Sequence, residues 1–426
     1  MSTSETSQTV TIIGAGVGGL ILGLSLKKNG IHSRFFELRD PDFDFGGAIM
    51  VAPNALRVLD AIGVYSRVKS KGYEFDAMTY MTEPDHKITG QYYFGKKDLY
   101  DYDCLRIPRK SLIRELREMV MEAGIEIEYG QKFMKIVRED IDGVVFELAD
   151  GRQERADLLV GADGIHSKVR SHLFPDIHPI YSGFMGVTYC FPRANLPVPS
   201  ADFPLPVSIF GKRGAFVMSP QGVDGEEIFA GRQYKYDMQD RSGWDALLMR
   251  KDELIDLHQR DKEEWSPFVQ AAQAQISTPE AHSMSIWPYY FVPKMQCWHS
   301  KTGRVVILGD AAHAVPPTAG QGANQSFEDS YSLAQVLGKT FHQGQKDLPE
   351  VLEAWETYRL ERMDLVLALT DQVTYVRMSE EERAALPEEK RRQVQERDTL
   401  VSDLSWLYNI DIESDVEILL GAVSAP

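Results

Sequence analysis

The chain begins its pattern with Val10-Thr11-Ile12-Ile13, a short apolar run that predicts a buried strand. Residues 20–29 carry helical spacing, and after Gly30 a second strand-like run, 31–36, ends in Glu37. Residues 53–62 predict a helix, with Pro53 suited to its first turn. Strand-like patches follow at 78–81 and 91–94. Leu105-Arg106-Ile107-Pro108-Arg109 then leads into a helix whose Leu112, Ile113, Leu116, Met119 and Val120 share one face. Residues 125–148 read as a hairpin closed by the turn signal Asp150-Gly151. Residues 157–160 predict another buried strand, which runs out at Gly161-Ala162-Asp163-Gly164, and a helix starts near Ser167.

Between 181 and 287 the texture changes. Aromatic and Gly-rich strands are expected at 181–184, 216–219 and 228–234, with helices at 247–257 and 267–276. The apolar run 304–308 predicts a strand ending at Gly309-Asp310. After Pro316 and Pro317, Gly320-Gln321-Gly322 opens a helix through Ala323, Phe327 and Leu333. A long helical pattern over 352–369 carries Tyr358-Arg359-Leu360-Glu361-Arg362. Residues 380–397 are densely charged, which predicts a solvated helix. Residues 402–420, with Trp406-Leu407-Tyr408, are expected to pack back on the body.

A chain of 426 residues predicts two or three domains. The formal charge of −17 excludes a nucleic-acid partner and disfavours an anionic membrane surface. Three scattered cysteines, Cys104, Cys190 and Cys297, fit neither a disulfide framework nor a metal cluster. They point to a reducing, cytoplasmic setting. The polar start MSTSETSQTV lacks the apolar core of a signal peptide, and no run is long enough to span a membrane.

The chemistry begins with Gly14-Ala15-Gly16-Val17-Gly18-Gly19, a G-x-G-x-x-G between a strand and a helix. In that context Gly14 permits the tight turn, Gly16 lets a pyrophosphate approach, and Gly19 lets helix pack on strand. Glu37 stands where a ribose hydroxyl needs an acceptor. The order strand, helix, strand and acid predicts a dinucleotide site. Asp163, at the carboxyl end of a strand, stands where parallel sheets bind ligands. The helix opened by Gly320-Gln321-Gly322 aims unpaired N–H groups and a positive dipole end at one point, which predicts an anionic ligand there. No second glycine fingerprint occurs in the middle region, which therefore reads as a substrate domain. Its candidate polar residues are Tyr189, Arg193, Arg232, Tyr234, His282 and Tyr289.

The fingerprint with Glu37, the Asp163-Gly164 pair and the stretch GDAAHAVPPTAGQGANQSFED resemble, in order and spacing, the FAD-dependent aromatic hydroxylases. These are the single-component flavoprotein monooxygenases typified by para-hydroxybenzoate and salicylate hydroxylases. In texture the chain is most similar to salicylate-hydroxylase-like enzymes of fungal type. The resemblance implies an α/β fold: a Rossmann-like FAD-binding domain of the para-hydroxybenzoate hydroxylase type, with an inserted mixed β-sheet substrate domain and a C-terminal helical segment. The expected boundaries are 1–180 plus 288–375 for the first, 181–287 with strands from about 75–105 for the second, and 376–426 for the third.

The same resemblance implies roles. Gly14, Gly16 and Gly19 hold the FAD pyrophosphate, and Glu37 the adenosine ribose. The Gly47-Ala48 backbone lies near the cofactor, and Arg109, in an Arg-x-x-Leu pattern with Leu112, contacts it. Asp163 sits by the pyrophosphate and is tied in the family to NAD(P)H use. Asp310 binds the ribityl chain. Gly320, Gln321, Gly322, Ala323 and Asn324 cap the pyrimidine end of the flavin, where the helix dipole favours the anionic reduced form. His313 either faces the ring where oxygen reacts or packs as a structural residue. Tyr189, Arg232 and Tyr234 are the candidates for a catalytic relay.

The implied reaction uses NAD(P)H as a transient co-substrate and O2, through a flavin C4a-hydroperoxide, to hydroxylate an aromatic or polyketide-like small molecule. Epoxidation of an alkene or indole, and a flavin reductase or dehydrogenase without oxygen insertion, are the alternatives within enzymes. A flavin-carrying regulatory protein is the alternative outside them. The paired-tryptophan halogenase signature is absent; Trp287-Pro288 lacks its partner. A monomer or homodimer is expected.

Overall fold

The computed structural model describes residues 8–43, 46–343, 347–396 and 403–423. The polar start at 1–7, and the segment ends expected at Arg397 and Ser402, lie outside the described residues.

The predicted apolar runs form one parallel sheet. Its order is Val305–Ile307, Leu158–Gly161, Thr9–Ile13, His32–Phe36, Glu126–Glu128. Every neighbouring pair is parallel. Parallel strands must be covered on both faces, which is why Leu158–Gly161 and Val305–Ile307 are apolar without alternation and buried throughout; His32–Phe36 and Glu126–Glu128, toward one edge, carry polar residues. Helix Val17–Lys28 and the 22-residue helix Gly322–Gln343 pack against each other beside this sheet. The expected hairpin is present as Phe133–Asp140 and Gly143–Leu148, but the chain turns again at Gly151 to add Gln153–Ala156.

A second, seven-stranded sheet takes strands Ala77–Thr82 and Lys87–Tyr93 and five more between Ile180 and Phe291. It is antiparallel except where Val207–Gly211 meets Ala77–Thr82. One face carries Met185, Val187, Tyr189, Phe191, Ile228 and Ala230, and packs under helices Arg241–Met249, Lys251–Gln259 and Pro267–Ala274. The first two were expected as one helix over 247–257. The chain breaks at Arg250, whose ψ of 64° is outside the helical range. A small sheet of Ala48–Val51, Cys104–Pro108 and Tyr73–Phe75 bridges the two large ones.

The charged segment expected at 380–397 is two short helices, Glu380–Ala385 and Glu388–Glu396, divided at Leu386-Pro387. Leu407 and Tyr408 are fully buried, so the C-terminal segment does pack back on the body.

The interior holds a charge cluster. Helix Leu348–Arg377 supplies Arg359 and Arg362, and helix Gly322–Gln343 supplies Glu328 and Asp329. Arg359 donates from Nε to Asp329 Oδ1 at 2.7 Å and from Nη1 to Glu328 Oε2 at 2.7 Å. Arg362 Nη2 donates to Glu328 Oε1 at 2.9 Å and to the Leu407 carbonyl at 2.6 Å. Asn54 Nδ2 donates to Glu328 Oε1 at 2.6 Å. Arg359, Glu328 and Asp329 are all 0% exposed. Burial pushes the Glu328 carboxyl up, but the Arg362 and Arg359 guanidiniums outweigh it and hold it below its ordinary value. Asp329 is likewise raised by burial and then drawn down, by His313 and Arg359, to about 2.

Removing one member of such a cluster leaves an uncompensated buried charge. Arg359→Met is expected to destabilise the fold by about 3–5 kcal/mol, read from the midpoint of urea denaturation. A midpoint within experimental error of the parent would contradict this account.

Candidate functional site

Three strand ends converge. Thr9–Ile13, Leu158–Gly161 and Val305–Ile307 are adjacent and parallel, with Ile13 opposite Gly161 and Gly161 opposite Ile307. The turns that follow carry Gly14, Asp163 and Asp310, so all three stand at one edge of the sheet. Carboxyl ends of parallel strands are where such sheets take ligands.

The glycines divide the work as the spacing predicts. Gly14 has φ +101°, and a Cβ there would come within 2.5 Å of the Ala162 carbonyl oxygen. A Cβ on Gly19 would overlap the Gly14 carbonyl oxygen. Gly16 caps helix Val17–Lys28, and nothing lies within 4 Å of where its Cβ would be. Two glycines are therefore needed for backbone contact and the third faces open space at a helix N-terminus. Glu37 steadies this turn: Oε2 accepts from Ala15 N–H at 2.6 Å and Oε1 from Arg39 N–H at 2.8 Å.

The helix opened by the second glycine turn packs against the first. Ser330 Oγ donates to the Gly18 carbonyl at 2.9 Å, tying helix Gly322–Gln343 to the fingerprint helix. Gly309, with φ +58°, reverses the chain so that Asp310 begins the next short helix. Asp310 lies deep enough that desolvation pushes its carboxyl up, against the pull of His313 and Arg109. Yet its surface is open. An open carboxylate at that depth lines a groove. Its Oδ1 is 3.9 Å from where a Gly322 Cβ would stand, so acid and helix N-terminus flank the same space.

Arg109 enters from the bridging sheet. Its N–H donates to the Gly47 carbonyl at 3.0 Å, and its Nε is buried without a partner. Desolvation lowers its pKa, opposed by Asp310. The guanidinium stands 5.7 Å from the centroid of the Trp287 ring, and Trp287 Cζ2 is 3.2 Å from where a Gly47 Cβ would be. Ala48 opens the strand that follows. Asp163 accepts through Oδ2 from Lys168 N–H at 2.7 Å, while its Oδ1 is buried without a partner. Burial pushes this carboxyl up as well. An open Gly16, two under-satisfied polar groups and an open helix N-terminus in one groove fit a dinucleotide with an anionic middle and a polar, reducible end.

Other expected residues face elsewhere. Gln321 is fully buried, and its Oε1 accepts from Asn54 and Gln325. Asn324 donates to Met50 O and Gly320 O and accepts from Ala52 N–H, pinning strand Ala48–Val51 to the helix. Gln321 Oε1 and the Asn324 side chain thus serve the protein, while Gln321 Nε2 is buried without a partner; the backbone of Gly320, Gly322 and Ala323 is left to the groove. His313 Nε2 pairs with Asp329 Oδ2 at 2.5 Å, and its ring packs on Trp298. This is the structural alternative for His313.

The proposed relay residues are corrected by the pleat of the sheet. Met185 pairs with Tyr234, Val187 with Arg232 and Tyr189 with Ala230, so all of them point to the helix-covered face. Tyr189 OH donates to the Ala272 carbonyl at 2.8 Å, and Tyr234 OH meets His258 Nδ1 at 2.8 Å. Arg232 Nη2 donates to the Arg213 carbonyl at 2.9 Å. Of the remaining candidates, Arg193 is exposed and His282 pairs with Glu227 at 2.9 Å at the sheet edge. Tyr289 stays on the inner face beside Gly186, with its phenol pKa raised by burial. The inner face is made of Thr188, Phe229, Gly231, Gln233, Trp287 and Tyr289. Trp287 and Phe229 were missed; their alternation with Ile286, Ile228 and Ala230 is the signal that marks them. Among the described residues no cluster of His, Cys, Asp and Glu suits a metal ion, and no helix is long and apolar enough to cross a membrane.

A family model described as an FAD binding domain matches residues 7–372. The chain belongs to the single-component FAD-dependent aromatic hydroxylase family. It is an FAD-dependent monooxygenase. It is 29% identical over 361 residues to an aurachin C monooxygenase/isomerase of Stigmatella aurantiaca, covering 84% of this chain and 86% of that one. It is 28% identical to a 3-amino-4-hydroxybenzoate 2-monooxygenase of Streptomyces platensis, covering 84% and 86%. A salicylate hydroxylase substrate complex superposes with TM-score 0.79 at 20% identity, covering 98% of both chains. The fold shared with that structure is the α/β FAD-binding architecture with a C-terminal helical segment.

Two outcomes follow for the enzyme. Gly16→Val, filling open space rather than a packed contact, is expected to leave thermal unfolding of the apoprotein nearly unchanged and to abolish FAD retention. Yellow variant protein with parental FAD content would refute this assignment. His258 is fully buried, and burial pushes its pKa down to about 3, with Arg232 adding to the shift. The folded state therefore refuses a proton that the unfolded state accepts below about 6.5. Stability from this group is present above that value and lost as pH falls toward 3, by up to about 1.4 kcal/mol per pH unit. His258→Gln should flatten that part of the stability–pH curve; an unchanged slope would contradict it.

Proposed function

We propose that this enzyme uses NAD(P)H and O2 to hydroxylate a small aromatic molecule held between the groove and the inner face of the seven-stranded sheet. The observation that carries the reading is Trp287, which stands on that inner face and touches both Gly47 and Arg109 of the groove. One wall is thereby continuous from the cofactor residues to an aromatic chamber. In this reading the FAD-binding part comprises 1–180 with 288–375, and the inner-face strands belong to the substrate part.

Bound FAD supplies electron transfer from the nicotinamide and activation of O2. The chain's own residues bind, orient and exclude water. The Gly16 turn and the N-terminus of Val17–Lys28 receive the pyrophosphate, Glu37 the ribose and Asp310 the ribityl hydroxyls. The first-turn N–H groups of Gly322 and Ala323 place positive potential where negative charge develops on reduction. Arg109, near enough to Asp310 to feel its charge, adds a cation. Trp287, Phe229 and Tyr289 keep the chamber apolar, which strengthens each of these interactions. With Tyr189 and Tyr234 on the far face, no side chain of that pair reaches the substrate to take its proton. The small-molecule partner, a monomer or homodimer, and a cytoplasmic setting complete the reading, the last supported by the free thiols of Cys104, Cys190 and Cys297.

The test is a screen of aromatic metabolites for stimulated NAD(P)H consumption by FAD-loaded protein under labelled O2. The expected product carries one labelled oxygen atom on a ring carbon. A labelled epoxide would move the reading to alkene oxidation. Stimulated NAD(P)H consumption with no label in the product would end the monooxygenase mechanism.

A further inference from the structure

Against the short helix Asp310–His313 lies a cavity of about 20 Å³, room for one water-sized body. Its wall holds two methionines: Met295, in the loop after strand His282–Phe291, and Met363, on helix Leu348–Arg377. His313 and Trp298 line it as well, their ring centroids 5.1 Å apart. Lys294 and Asp364 also border it, joined as an exposed ion pair with Nζ 2.7 Å from Oδ1. Met295, Met363, His313 and Trp298 are all buried. None of the groove residues Gly16, Asp163, Asp310 or Gly322 lines this cavity, and no residue of the sheet's inner face does. It is a separate place in the molecule.

His313 presents a free ring nitrogen there. Its Nε2 meets Asp329 Oδ2 at 2.5 Å. Asp329 also accepts from Gly309 N–H and Arg359 Nε, and His313 and Arg359 draw it down to about 2 against its burial. Asp329 is therefore a carboxylate and can only accept, so the imidazole hydrogen lies on Nε2. Nδ1 is buried without a partner. Asp329 does not line the cavity, so Nδ1 is the polar ring atom left to it. An imidazole that gives one N–H to a carboxylate and keeps the other nitrogen free is the form in which proteins offer histidine to metal ions. Packing accounts for the Asp329 pair and the Trp298 contact. It does not account for an unpartnered Nδ1 in a cavity wall.

The neighbours of Nδ1 select the kind of ion. Two thioethers and one neutral imidazole form a soft ligand set, which suits Cu(I) and not Mg²⁺, Ca²⁺ or Mn²⁺. A divalent ion needs anionic ligands to offset its desolvation, and Asp364 is already paired with Lys294. A monovalent ion has less to offset, and the buried Asp329 charge stands one ring away. The indole of Trp298 attracts a cation through its π face. No thiol or carboxylate takes part, so the lack of a His, Cys, Asp and Glu cluster among the described residues does not bear on this set.

We propose that Met295, Met363 and His313 Nδ1 form a site for one soft monovalent metal ion, Cu(I), with Trp298 as a further wall. Binding there involves no electron transfer. It needs neither substrate nor nicotinamide, so it stands apart from the monooxygenase reading. His313 ends the turn that Asp310 begins, so a bound ion braces that turn from outside the cofactor groove.

The probe is Cu(I), kept reduced without oxygen and shared with a competing bicinchoninate chelator, and the protein is the FAD-loaded full chain. Cys297 is half-buried two residues from Met295, and a thiolate is a stronger ligand than a thioether, so every protein tested carries Cys297→Ser. One ion is expected to be retained per chain. In protein labelled at methionine methyls and histidine ring nitrogens, two methyl signals and one ring nitrogen should move on binding. Met295→Leu and Met363→Leu should each remove one of those methyl signals and weaken binding on the order of tenfold or more, and the double variant should lose it. Leucine conserves the volume, so thermal unfolding without copper should stay near the parent in all of them. Cu(I) should raise the unfolding midpoint of the parent and not that of the double variant. Failure to retain Cu(I) against the chelator would overturn the proposal and leave an ordinary solvent cavity. So would parental affinity in the double variant, movement of other methionine signals only, or Zn²⁺ held as tightly as Cu(I).

Discussion

The buried ion cluster of Arg359 and Arg362 with Glu328 and Asp329 is the constraint on which the groove depends. Asp329 accepts from Gly309 N–H at 2.9 Å, so the left-handed turn that aims Asp310 is fastened to a charge with no access to water. The same carboxylate holds His313. Glu328 holds Asn54, the second residue of helix Pro53–Ala61, and Arg362 holds the carbonyls of Trp406 and Leu407. Four segments far apart in sequence, at Asn54, at 309–313, at 359–362 and at 406–407, are thus locked to two adjacent acids on one helix. Such a cluster is a weak source of net stability, because desolvation offsets its Coulomb energy. Its consequence is specificity of arrangement: any slip of helix Gly322–Gln343 along its axis would strand a buried charge.

That locking explains how the helix N-terminus can serve as an electrostatic device. Dipole effects fall away within the first turn, so position decides their worth. Ser330 fixes the helix against Gly18, Asn324 fixes its first turn to Met50 and Ala52, and the ion cluster fixes its middle. The Asn324 side chain and Gln321 Oε1 are therefore consumed in holding the helix still, and in the proposed reading the backbone is what remains for the cofactor. This is preorganisation in the ordinary sense, with donors placed before charge develops.

The seven-stranded sheet separates two chemistries by its pleat. One face is a packed core in which Tyr189, Tyr234 and His258 satisfy one another. The other face meets the groove with aromatic rings, small residues and the unpartnered Gln233 amide. Side chains that alternate along one strand, Tyr234 and Gln233 for example, end up in unlike environments.

Much of the groove was legible in the chain itself. The glycine spacing, Glu37 after His32–Phe36 and Gly309-Asp310 after Val305–Ile307 are local signals, because turn geometry and close backbone approach admit few residues. The parallel sheet followed from apolar runs without alternation. What the chain did not disclose was facing and partnership. Period-2 alternation says that neighbours part, not which of them meets the cofactor, so Tyr189 and Tyr234 read as a relay when they belong to a core. Tyr358-Arg359-Leu360-Glu361-Arg362 reads only as part of a long helical pattern, and the packing of two helices makes Arg359 and Arg362 the buried partners of Glu328 and Asp329. Arg106, three places before Arg109, carries no mark of its own. Its meaning comes from a strand that presses it, unpaired, against a wall built from residues more than a hundred positions away.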